Sequence, residues 1–312
     1  MKHFLVTGGC GFIGSNLCKF LNKNGCKVTV IDNLSVGKYE NISNVNNLDF
    51  FHSNIEDFDF YKLKDLSGFF HLAAQTNIAY SLSNFYKSSK MNVNDSLKII
   101  DFCSLNNIKL VYASSSAVYG NLPNGIEDDK IDLINPYAVD KYLMEQYCEM
   151  SLKTRNLSSY GLRFFNVYGP GQDGNNPYSG VISIFIENLL NDRDIHIFGG
   201  KQVRDFIFID DITRALWSAY LYLNCNTTKS SISNVLTGKS TSISELLNLI
   251  VKKVMKSPKI HYKNYIKGDA MSSSGSSIKM KEELKIDNLI DIDYGLELTI
   301  SWYKKKLKDN WK

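Results

Sequence analysis

The stretch "HFLVTGGCGFIGSNLCKFL", residues 3–21, decides the fold. A short apolar run ends in glycines at positions 8, 9, 11 and 14, which fit both Gly-x-x-Gly-x-x-Gly and Gly-x-Gly-x-x-Gly. Leu17, Phe20 and Leu21 then recur at helical spacing. The order strand, glycine turn and helix predicts a phosphate site, because the turn lets backbone approach closely and the helix offers unpaired N–H groups. A glycine turn that only packs the helix on the strand is the alternative.

Asp32 closes the next apolar strand, "KVTVID". A carboxylate at this place can accept hydrogen bonds from both hydroxyls of an adenosine ribose. It would repel a 2′-phosphate. The combination therefore predicts a dinucleotide site that favours NAD over NADP.

Strand and helix signals alternate from the N-terminus to about residue 165. Short apolar runs such as "GFFHLAA" (68–74) and "IKLVYASSS" (108–116) stand between helical stretches, as is typical of parallel strands buried on both faces. We predict an α/β protein with a Rossmann-type doubly wound parallel sheet in residues 1–165. A smaller α/β domain, which we expect to bind mainly the substrate, would follow in residues 166–312. A segment near residues 200–225 is expected to return to the first domain.

Composition argues against several functional classes. The chain has 312 residues, 44% hydrophobic and 22% charged, with a net charge of +4, which is ordinary for a soluble globular protein. No block of five or six like charges and no run of about 18 apolar residues occurs, so we expect no nucleic-acid or membrane partner. Six cysteines without a CxxC pair or a Cys/His cluster indicate free thiols in a reducing cytoplasm and no metal site. The N-terminus enters a strand pattern directly, so we expect no signal peptide.

Tyr137 and Lys141, in "NPYAVDKYL" (135–143), supply the candidate chemistry. Asn135 and Pro136 are typical of a helix start, so the two side chains would lie on one helix face. An ammonium beside a phenol favours the phenolate, and the positive charge of an oxidised nicotinamide would add to this effect. Lowering the pKa of a tyrosine from about 10 to about 7 takes roughly 4 kcal/mol. Tyr137 would then be a general base near neutral pH. Tyr-x-x-x-Lys alone is usually a solvated helix face, but here three consecutive serines, residues 114–116, end a strand upstream.

These motifs together resemble the extended short-chain dehydrogenase/reductase family, and most of all its UDP-hexose 4-epimerases. The resemblance covers nearly the whole chain: "TGGCGFIG", "IDNLS", "HLAAQT", "NVN", "ASSSAVYG", "YAVDK", "RFFNVYGPGQD", "RDFIFIDD" and "GD" at residues 268–269. It implies that Tyr137 removes the proton of the sugar C4 hydroxyl while hydride passes from C4 to a bound NAD. The 4-keto sugar would then turn over, and hydride would return to its opposite face.

The same resemblance implies a role for each motif residue. The catalytic residues would be Ser115, four residues before Tyr119, with Tyr137 and Lys141. The cofactor-binding residues would be Gly8, Gly11, Phe12, Ile13, Gly14, Asp32, Asn33, Ser35, Gly37, Asn54, Ile55, Leu72, Ala73, Ala74, Asn92, Ser114, Tyr137 and Lys141. Of these, Asn54 and Ile55 would lie near the adenine. The substrate-binding residues would be Gln75, Thr76, Ser115, Ser116, Asn166, Arg204, Asp269 and Ser273. Plain turn residues at 114 and 116, and an ion pair of Arg204 with Asp205 or Asp210, are the alternatives.

Departures from the family pattern bear on the substrate. Ser116 and Ala117 stand where the related 4,6-dehydratases carry Asp-Glu, so dehydration is not expected. Ser273 occupies the place of a size gate beside the sugar 2-substituent. Because serine is small, we predict room for UDP-GlcNAc and UDP-GalNAc as well as UDP-glucose and UDP-galactose. Ile266 and Ser276 replace the usual Arg and Asp, with Lys267 as a substitute cation.

Two alternative functions and the oligomeric state remain open at the level of the sequence. One alternative function is epimerisation of another nucleotide sugar, such as UDP-glucuronate. A second is a non-catalytic NAD-binding protein. Family members usually form homodimers through two helices, here at about residues 84–106 and 137–152. Their apolar residues would serve either that contact or the core: Val93, Leu97, Leu143 and Met144.

Overall fold

Seven parallel strands form the central sheet of the computed structural model, which describes residues 1–176, 179–225, 228–265 and 270–309. They are β1 (His3–Thr7), β2 (Lys27–Asp32), β3 (Leu48–His52), β4 (Gly68–His71), β5 (Leu110–Ser115), β6 (Ser159–Phe164) and β10 (Ser230–Val235). Their order across the sheet is β3-β2-β1-β4-β5-β6-β10. The strand order reverses between β1 and β4, where doubly wound sheets open a ligand crevice at the carboxyl ends of the strands. The predicted doubly wound parallel sheet is confirmed.

Helices cover both faces of this sheet. In chain order the helices are α1 (Phe12–Lys23), α2 (Ile78–Ser83), α3 (Phe85–Ser89), α4 (Asp95–Leu105), α5 (Pro136–Arg155), α6 (Val181–Leu190), α7 (Ile209–Cys225), α8 (Ile243–Val254), α9 (Ile278–Leu284) and α10 (Ile292–Asp309). Some of them, among them α6, α8 and α10, pack in the C-terminal part of the chain instead. One apolar cluster joins the sheet to α1 and α7, and a second lies between the sheet and α4 and α5. Burial on both faces explains why the strands read as continuous apolar runs.

Helix α5 carries Tyr137 and Lys141 and begins where the sequence predicts. The side chain of Asn135 accepts a hydrogen bond from Ala138 N at 2.9 Å, and Pro136 occupies the first turn. These are favoured groups at a helix start, because the cap satisfies a free N–H and proline has none to satisfy. Tyr137 is thereby fixed in the first turn of the helix.

Shorter strands build the C-terminal part of the chain. β9 (Val203–Phe208) pairs with β7 (Asn166–Tyr168), β11 (Ser240–Ser242) and β13 (Ser272–Ser273). β8 (Ile195–Phe198) pairs with β12 (Ile260–Lys263). Gly275, two residues beyond β13, forms a bridge with Gly125. The serine-rich stretch that contains β13 is therefore held between β9 and the loop after β5.

Two elements that follow residue 165 lie on the first sheet. Helix α7 packs against α1, and β10 extends the sheet beyond β6. The elements on the first sheet are thus α7, which falls within the predicted segment near residues 200–225, and β10, which follows it. The division into two domains at residue 165 stays a prediction.

The described residues contain neither a membrane-crossing helix nor a metal cluster. No helix among them is long and apolar enough to reach across a bilayer. Nowhere in those ranges do three His, Cys, Asp or Glu side chains gather around a common point. The six cysteines are free thiols, and Cys225 is the exposed one among them.

Candidate active site

The glycines of the first turn join β1 tightly to α1. Gly8 has a φ of +70°, and a Cβ there would lie 2.7 Å from the backbone N of Ala73. A Cβ on Gly14 would lie 2.1 Å from the carbonyl O of Gly8. Both positions therefore require glycine. No side chain caps the start of α1, so the N–H groups of Phe12 and Ile13 are available to an anion.

Asp32 lies at the end of β2 beside this turn. Its Oδ2 accepts a hydrogen bond from Cys10 N at 2.9 Å, and its Oδ1 accepts one from Leu34 N at 2.8 Å. Each carboxylate oxygen keeps acceptor capacity for a further donor, such as a ribose hydroxyl. Gly37 packs on the same turn, since a Cβ there would lie 2.6 Å from the carbonyl carbon of Cys10. The glycine turn itself thus fixes the carboxylate.

The predicted adenine contacts lie on a loop tied to the end of β2. Asn33 Nδ2 donates to Asn54 Oδ1 at 3.0 Å, and Asn54 Nδ2 donates to Asp57 Oδ2 at 2.8 Å. Ser35 N donates to Asn33 Oδ1 at 3.1 Å. Ile55 is buried and belongs to the apolar cluster beneath the loop. These hydrogen bonds join the loop after β2 to the loop after β3, and Ile55 anchors the second loop in the core.

Asn92 uses its side-chain amide on neighbouring protein groups. Its Oδ1 accepts from Gln75 N at 2.7 Å, and its Nδ2 donates to Gln75 O at 3.1 Å and to Asp140 Oδ2 at 3.0 Å. Asn92 therefore clamps the turn that follows β4. A direct contact of its side chain with the cofactor stays a prediction.

These elements fit NAD. Leu72, Ala73 and Ala74 follow β4 on the other side of the crevice, and Ala73 lies against Gly8. A turn without room for side chains, an uncapped helix start and a fixed carboxylate at the second strand end are the groups that hold a pyrophosphate and an adenosine ribose. Asp32 would hold the ribose and the first turn of α1 the pyrophosphate.

The three serines at the end of β5 have different surroundings. Ser114 is buried, and its hydroxyl donates to Glu145 Oε1. Ser115 has extended backbone, and its Oγ accepts from the turn that follows at 3.1 Å. Ser116 Oγ lies 3.5 Å from Ser273 Oγ. The hydroxyl of Ser114 thus serves the interior, whereas Ser115 and Ser116 line a cavity, and a cofactor contact by Ser114 stays a prediction.

Tyr137 and Lys141 are both buried, with 8% and 5% of their surfaces exposed. Lys141 Nζ lies 5.9 Å from the centroid of the Tyr137 ring and donates to Ala113 O at 2.8 Å. Burial raises the pKa of Tyr137 to about 12, while the Ser115 hydroxyl lowers it. Burial lowers the pKa of Lys141 to about 8, against the pull of two carboxylates on the same helix.

In the chain by itself the pKa of Tyr137 is therefore raised, and its shift toward neutrality under the joint charge of Lys141 and an oxidised nicotinamide stays a prediction. Loss of water disfavours the charged form of each side chain, which raises the pKa of the phenol and lowers that of the ammonium. The ammonium also donates to a carbonyl of β5. A further positive charge at the site is needed before the phenol ionises near pH 7.

A cavity of about 180 Å³ opens over Ser115 and Tyr137. It gathers six residues that the sequence assigned to catalysis or substrate binding: Ser115, Ser116, Tyr137, Asn166, Arg204 and Ser273. Arg204 is the cation among the described residues that line it. A larger open cleft of about 490 Å³ lies along α10, is lined mostly by lysines, and contains none of the predicted residues. The smaller cavity is therefore the candidate site.

Neighbouring strands position the substrate side of this cavity. Asn166 Nδ2 donates to Asp205 O at 3.1 Å and to Ser273 Oγ at 3.4 Å. Arg204 is 8% exposed and donates to Val203 O at 2.9 Å. The pairing of β13 with β9 places Ser273 opposite Arg204. The register of β13 thus places Ser273, the predicted size gate, beside Arg204, the predicted diphosphate-binding residue.

Some predicted substrate residues lie elsewhere. Gln75 and Thr76 follow β4, outside the lining of the cavity, and Gln75 Oε1 accepts from Asn77 N at 2.9 Å. Asp269, like Ile266 and Lys267, lies outside the described residues. Their contacts stay predictions.

Comparison with known proteins identifies the family of the chain. The model of the NAD dependent epimerase/dehydratase family matches residues 4–228. The chain belongs to this family. Membership confirms the resemblance drawn from the motifs and the cofactor, NAD.

Solved structures and relatives extend the likeness over nearly the whole chain. The UDP-N-acetylglucosamine 4-epimerase of Methanobrevibacter ruminantium M1, solved with UDP-N-acetylmuramic acid, is 35% identical with a TM-score of 0.92, covering 98% of this chain and 99% of that one. The UDP-glucose 4-epimerase of Thermotoga maritima, solved with UDP-glucose, is 33% identical with a TM-score of 0.91 and the same coverage. The UDP-glucose 4-epimerase of Mycolicibacterium smegmatis is 31% identical over 315 residues, covering 97% of this chain and 98% of the relative.

A buried ion pair that the sequence did not reveal lies next to Ser114. Arg163 on β6 donates to both oxygens of Glu145 on α5, at 2.9 and 2.7 Å. Arg163 also donates to Tyr119 OH at 2.8 Å. The position of Glu145 one turn after Lys141 could have placed it on the same helix face. Its partner on β6 has no local signal.

His71, at the end of β4, is a second residue that the sequence did not single out. Its Nδ1 lies 2.8 Å from Thr7 Oγ1, and its Nε2 lies 3.1 Å from Ser96 Oγ. Because the Ser96 hydroxyl donates to Asn92 O, it must accept from Nε2, so His71 carries its proton there. Burial, aided by the charge of Lys141, lowers the pKa of His71 to about 3. His71 is thus a neutral link between β1 and the segment that holds Asn92.

Proposed function

We propose that the chain is an NAD-dependent UDP-sugar 4-epimerase, which interconverts the C4 epimers of a UDP-hexose. One observation carries the proposal: a single cavity joins the half-buried Ser115 and the buried Tyr137 to Arg204. A hydroxyl pair can move the proton of a sugar hydroxyl, and a guanidinium can hold a diphosphate. The three relatives named above are 4-epimerases of UDP-glucose or UDP-N-acetylglucosamine.

Ser115 and Tyr137 would handle the proton of the C4 hydroxyl. The Ser115 hydroxyl lowers the pKa of Tyr137, which favours the phenolate. A proton on the sugar oxygen can therefore pass to Tyr137 directly or through Ser115. NAD, when bound, supplies a hydride acceptor and a positively charged ring. Positive charge nearby opposes the effect of burial on Tyr137. Lys141, anchored on Ala113 O, would hold the nicotinamide ribose.

The substrate side fits a UDP-sugar with a variable 2-substituent. Arg204 would grip the diphosphate, with Asn166 beside it. Ser273 has a small side chain and contacts Ser116 and Asn166 rather than filling the cavity. We therefore propose that N-acetylated and plain hexoses both enter the site.

A UDP-glucuronate epimerase would need a second cation. The sugar carboxylate and the diphosphate each want a positive partner. Among the described residues that line the cavity, Arg204 is the cation, and we assign it to the diphosphate. Acceptance of UDP-glucuronate is therefore the weaker proposal.

A non-catalytic NAD-binding role leaves two buried groups without a purpose. Burial of a phenol and an ammonium costs free energy that hydrogen bonds offset only in part, so a catalytic role would explain why both groups are kept beside the cavity. Tyr137 and Lys141 lie next to the cavity. Burial raises the pKa of Tyr137 and lowers that of Lys141. Catalysis accounts for them, whereas binding alone does not.

We further propose that the protein is a homodimer formed through the outer face of α5. This face exposes Val139, Leu143, Tyr147 and Met150, between 37% and 56% of each. Met144, by contrast, is 4% exposed and packs in the second apolar cluster, so it belongs to the core. Light scattering of the purified protein and of Leu143→Asp, which should dissociate, tests this proposal. The cytoplasmic location and the absence of nucleic-acid and membrane partners stay predictions from the sequence.

The test of the proposed activity is incubation with UDP-sugars without added NAD. The panel contains UDP-glucose, UDP-galactose, their N-acetylated forms and UDP-glucuronate, and the C4 epimers are resolved by chromatography. We expect conversion of the plain and N-acetylated pairs. Refusal of every UDP-hexose by protein that carries NAD would overturn the proposal, and conversion of UDP-glucuronate alone would replace it with the second candidate.

A further inference from the structure

Asp140 is a buried carboxylate between the two catalytic residues of α5. It is 3% exposed, although acidic side chains are seldom buried without a cation. Its Oδ1 accepts from Ser89 Oγ at 2.7 Å, and its Oδ2 accepts from Asn92 Nδ2 at 3.0 Å. Both donors are neutral. The negative charge of Asp140 is therefore held in place by hydrogen bonds and is not cancelled by them.

The charge of Asp140 acts on Lys141 through space. Lys141 donates to Ala113 O rather than to the carboxylate. Both side chains are buried, and buried charges interact more strongly than charges in water. The other carboxylate near Lys141 is Glu145, which is paired with Arg163 through two hydrogen bonds. Asp140 thus remains as the uncancelled anion for the buried ammonium.

Within the part of the chain that the structure describes, the other groups around Lys141 supply no further negative charge. On α5 the neighbour is the phenol of Tyr137. At the end of β4 stands His71, whose pKa is lowered to about 3, so it is neutral near pH 7. From β5 come the carbonyl of Ala113 and the hydroxyl of Ser114. Burial brings the pKa of Lys141 down to about 8, and Asp140 is the first group that opposes this.

Asp140 also links Lys141 to the turn that follows β4. Asn92, which donates to Asp140, clamps the backbone of Gln75 from both sides. The carboxylate therefore orients the amide that fixes this turn. No motif of the resemblance assigned a role to this position.

We propose that Asp140 is a positioning residue of the active site: its buried charge keeps Lys141 a cation, and its bond to Asn92 fixes the turn at Gln75. This inference rests on the proposed function for its catalytic consequence. The electrostatic part rests on the burial of both side chains and on the neutral donors that hold Asp140, and it does not depend on turnover. Asp140 exchanges no proton and touches no substrate in this role.

Asp140→Asn separates the charge from the hydrogen bonds. The amide oxygen can still accept from Asn92, and the amide nitrogen can donate to the Ser89 hydroxyl, which is able to accept. The matched control is Glu149→Gln, which removes a carboxylate from the exposed side of the same helix. Should Asp140→Asn fail to fold, Asp140→Ser removes the same charge and leaves a hydroxyl for Asn92.

The primary measurement is the titration of Lys141 in protein labelled with ¹³Cε-lysine, with its signal identified by its absence in Lys141→Met. We expect the midpoint of Lys141 to fall by roughly one pH unit or more in Asp140→Asn and to stay in place in Glu149→Gln. An unchanged midpoint in Asp140→Asn would overturn the inference. This measurement needs no turnover, so it decides the role of Asp140 even if the protein epimerises no sugar.

The pH profile of kcat is the second readout. Loss of the Asp140 charge lowers the pKa of both Lys141 and Tyr137, since the carboxylate raises both. Both limbs of the profile should therefore move to lower pH together in Asp140→Asn. A lower rate with limbs in their original places would show a merely structural role and contradict the inference.

Discussion

Tyr137 loses its contact with water when the chain folds, and this burial both creates and restrains its chemistry. The phenol is brought to Ser115 at the cavity, but its pKa rises to about 12. Helical spacing predicted that Tyr137 and Lys141 lie on one helix face, and the family resemblance added Ser115. They could not predict the direction of the pKa shift, because this depends on how completely each group is buried.

Tyr137→Phe should remove turnover and leave the cofactor bound. The substitution deletes one oxygen while the ring stays in place, so we expect kcat to fall by roughly 10²- to 10⁴-fold. Turnover of UDP-glucose and the NAD released on denaturation are the two measurements. Tyr142→Phe, on the same helix, is the control and should retain both. A Tyr137→Phe variant with near wild-type turnover would contradict the assigned role.

His71 should make the stability of the protein depend on pH. Its pKa is lowered to about 3 in the folded chain, from 6.5. Between these values the unfolded chain binds a proton that the folded chain does not, so stability falls as pH drops below about 6.5, by up to roughly 1.4 kcal/mol per pH unit. We expect His71→Gln, which cannot titrate, to show a correspondingly flatter slope in urea unfolding between pH 5 and 6.5. Equal slopes in both proteins would show that His71 is not the group responsible.

The loop after β3 shows how one element is held by another. Lys98 on α4 donates to three carbonyls of this loop, Ile55 O at 3.0 Å, Glu56 O at 2.7 Å and Phe58 O at 2.8 Å. All three N–H bonds of the ammonium are thereby used. The loop carries the predicted adenine contacts, so α4 fixes the adenine side of the crevice. Nothing in the local sequence pattern indicates this contact, because the two elements are far apart in the chain.

Lys98→Met should loosen the adenine loop. Loss of the ammonium leaves three carbonyls without their donor, and we expect a loss of about 2 kcal/mol in the free energy of unfolding. NAD affinity should fall several-fold, as measured by calorimetry on protein freed of its cofactor. Lys90→Met is the control, since Lys90 forms an exposed ion pair with Glu56 of the same loop and should change little. The same NAD affinity in Lys98→Met and in the control would contradict the assignment.

Strand β13 illustrates a contact that sequence patterns do not reveal. Its residues are serines, with no apolar alternation, and its place is set by backbone pairing with β9. The resemblance, by contrast, did predict that Ser273 belongs to the substrate site. The structure lines the cavity with this residue.

Ser273→Tyr should narrow the substrate range. A bulky side chain at this position would occupy the space beside the sugar 2-substituent. We expect the variant to lose UDP-N-acetylglucosamine epimerisation and to keep UDP-glucose epimerisation, which serves as its internal control. Equal loss of both activities would indicate general damage to the cavity, and unchanged use of both would place the 2-substituent elsewhere.

At the scale of the whole molecule, rules for parallel sheets and one glycine fingerprint were sufficient for the architecture. They predicted the doubly wound sheet, NAD and the end of the sheet at which the site lies. They did not predict the full extent of the later segment on that sheet, because β10 reads "SSISNV" and its serines hide a buried strand. Two of these serines have hydrogen-bond partners: Ser230 Oγ lies 3.1 Å from Ser159 Oγ, and Ser231 Oγ donates to Glu283 Oε2 at 2.7 Å.

In the proposed reaction, hydrogen leaves the sugar and returns to it at one carbon, C4. The measurement that tests this most directly is the fate of deuterium placed at C4 of UDP-glucose, followed in ordinary water. We predict that the UDP-galactose formed retains deuterium at C4. Loss of the label to water, or its appearance at C6 as in a dehydratase, would contradict the account.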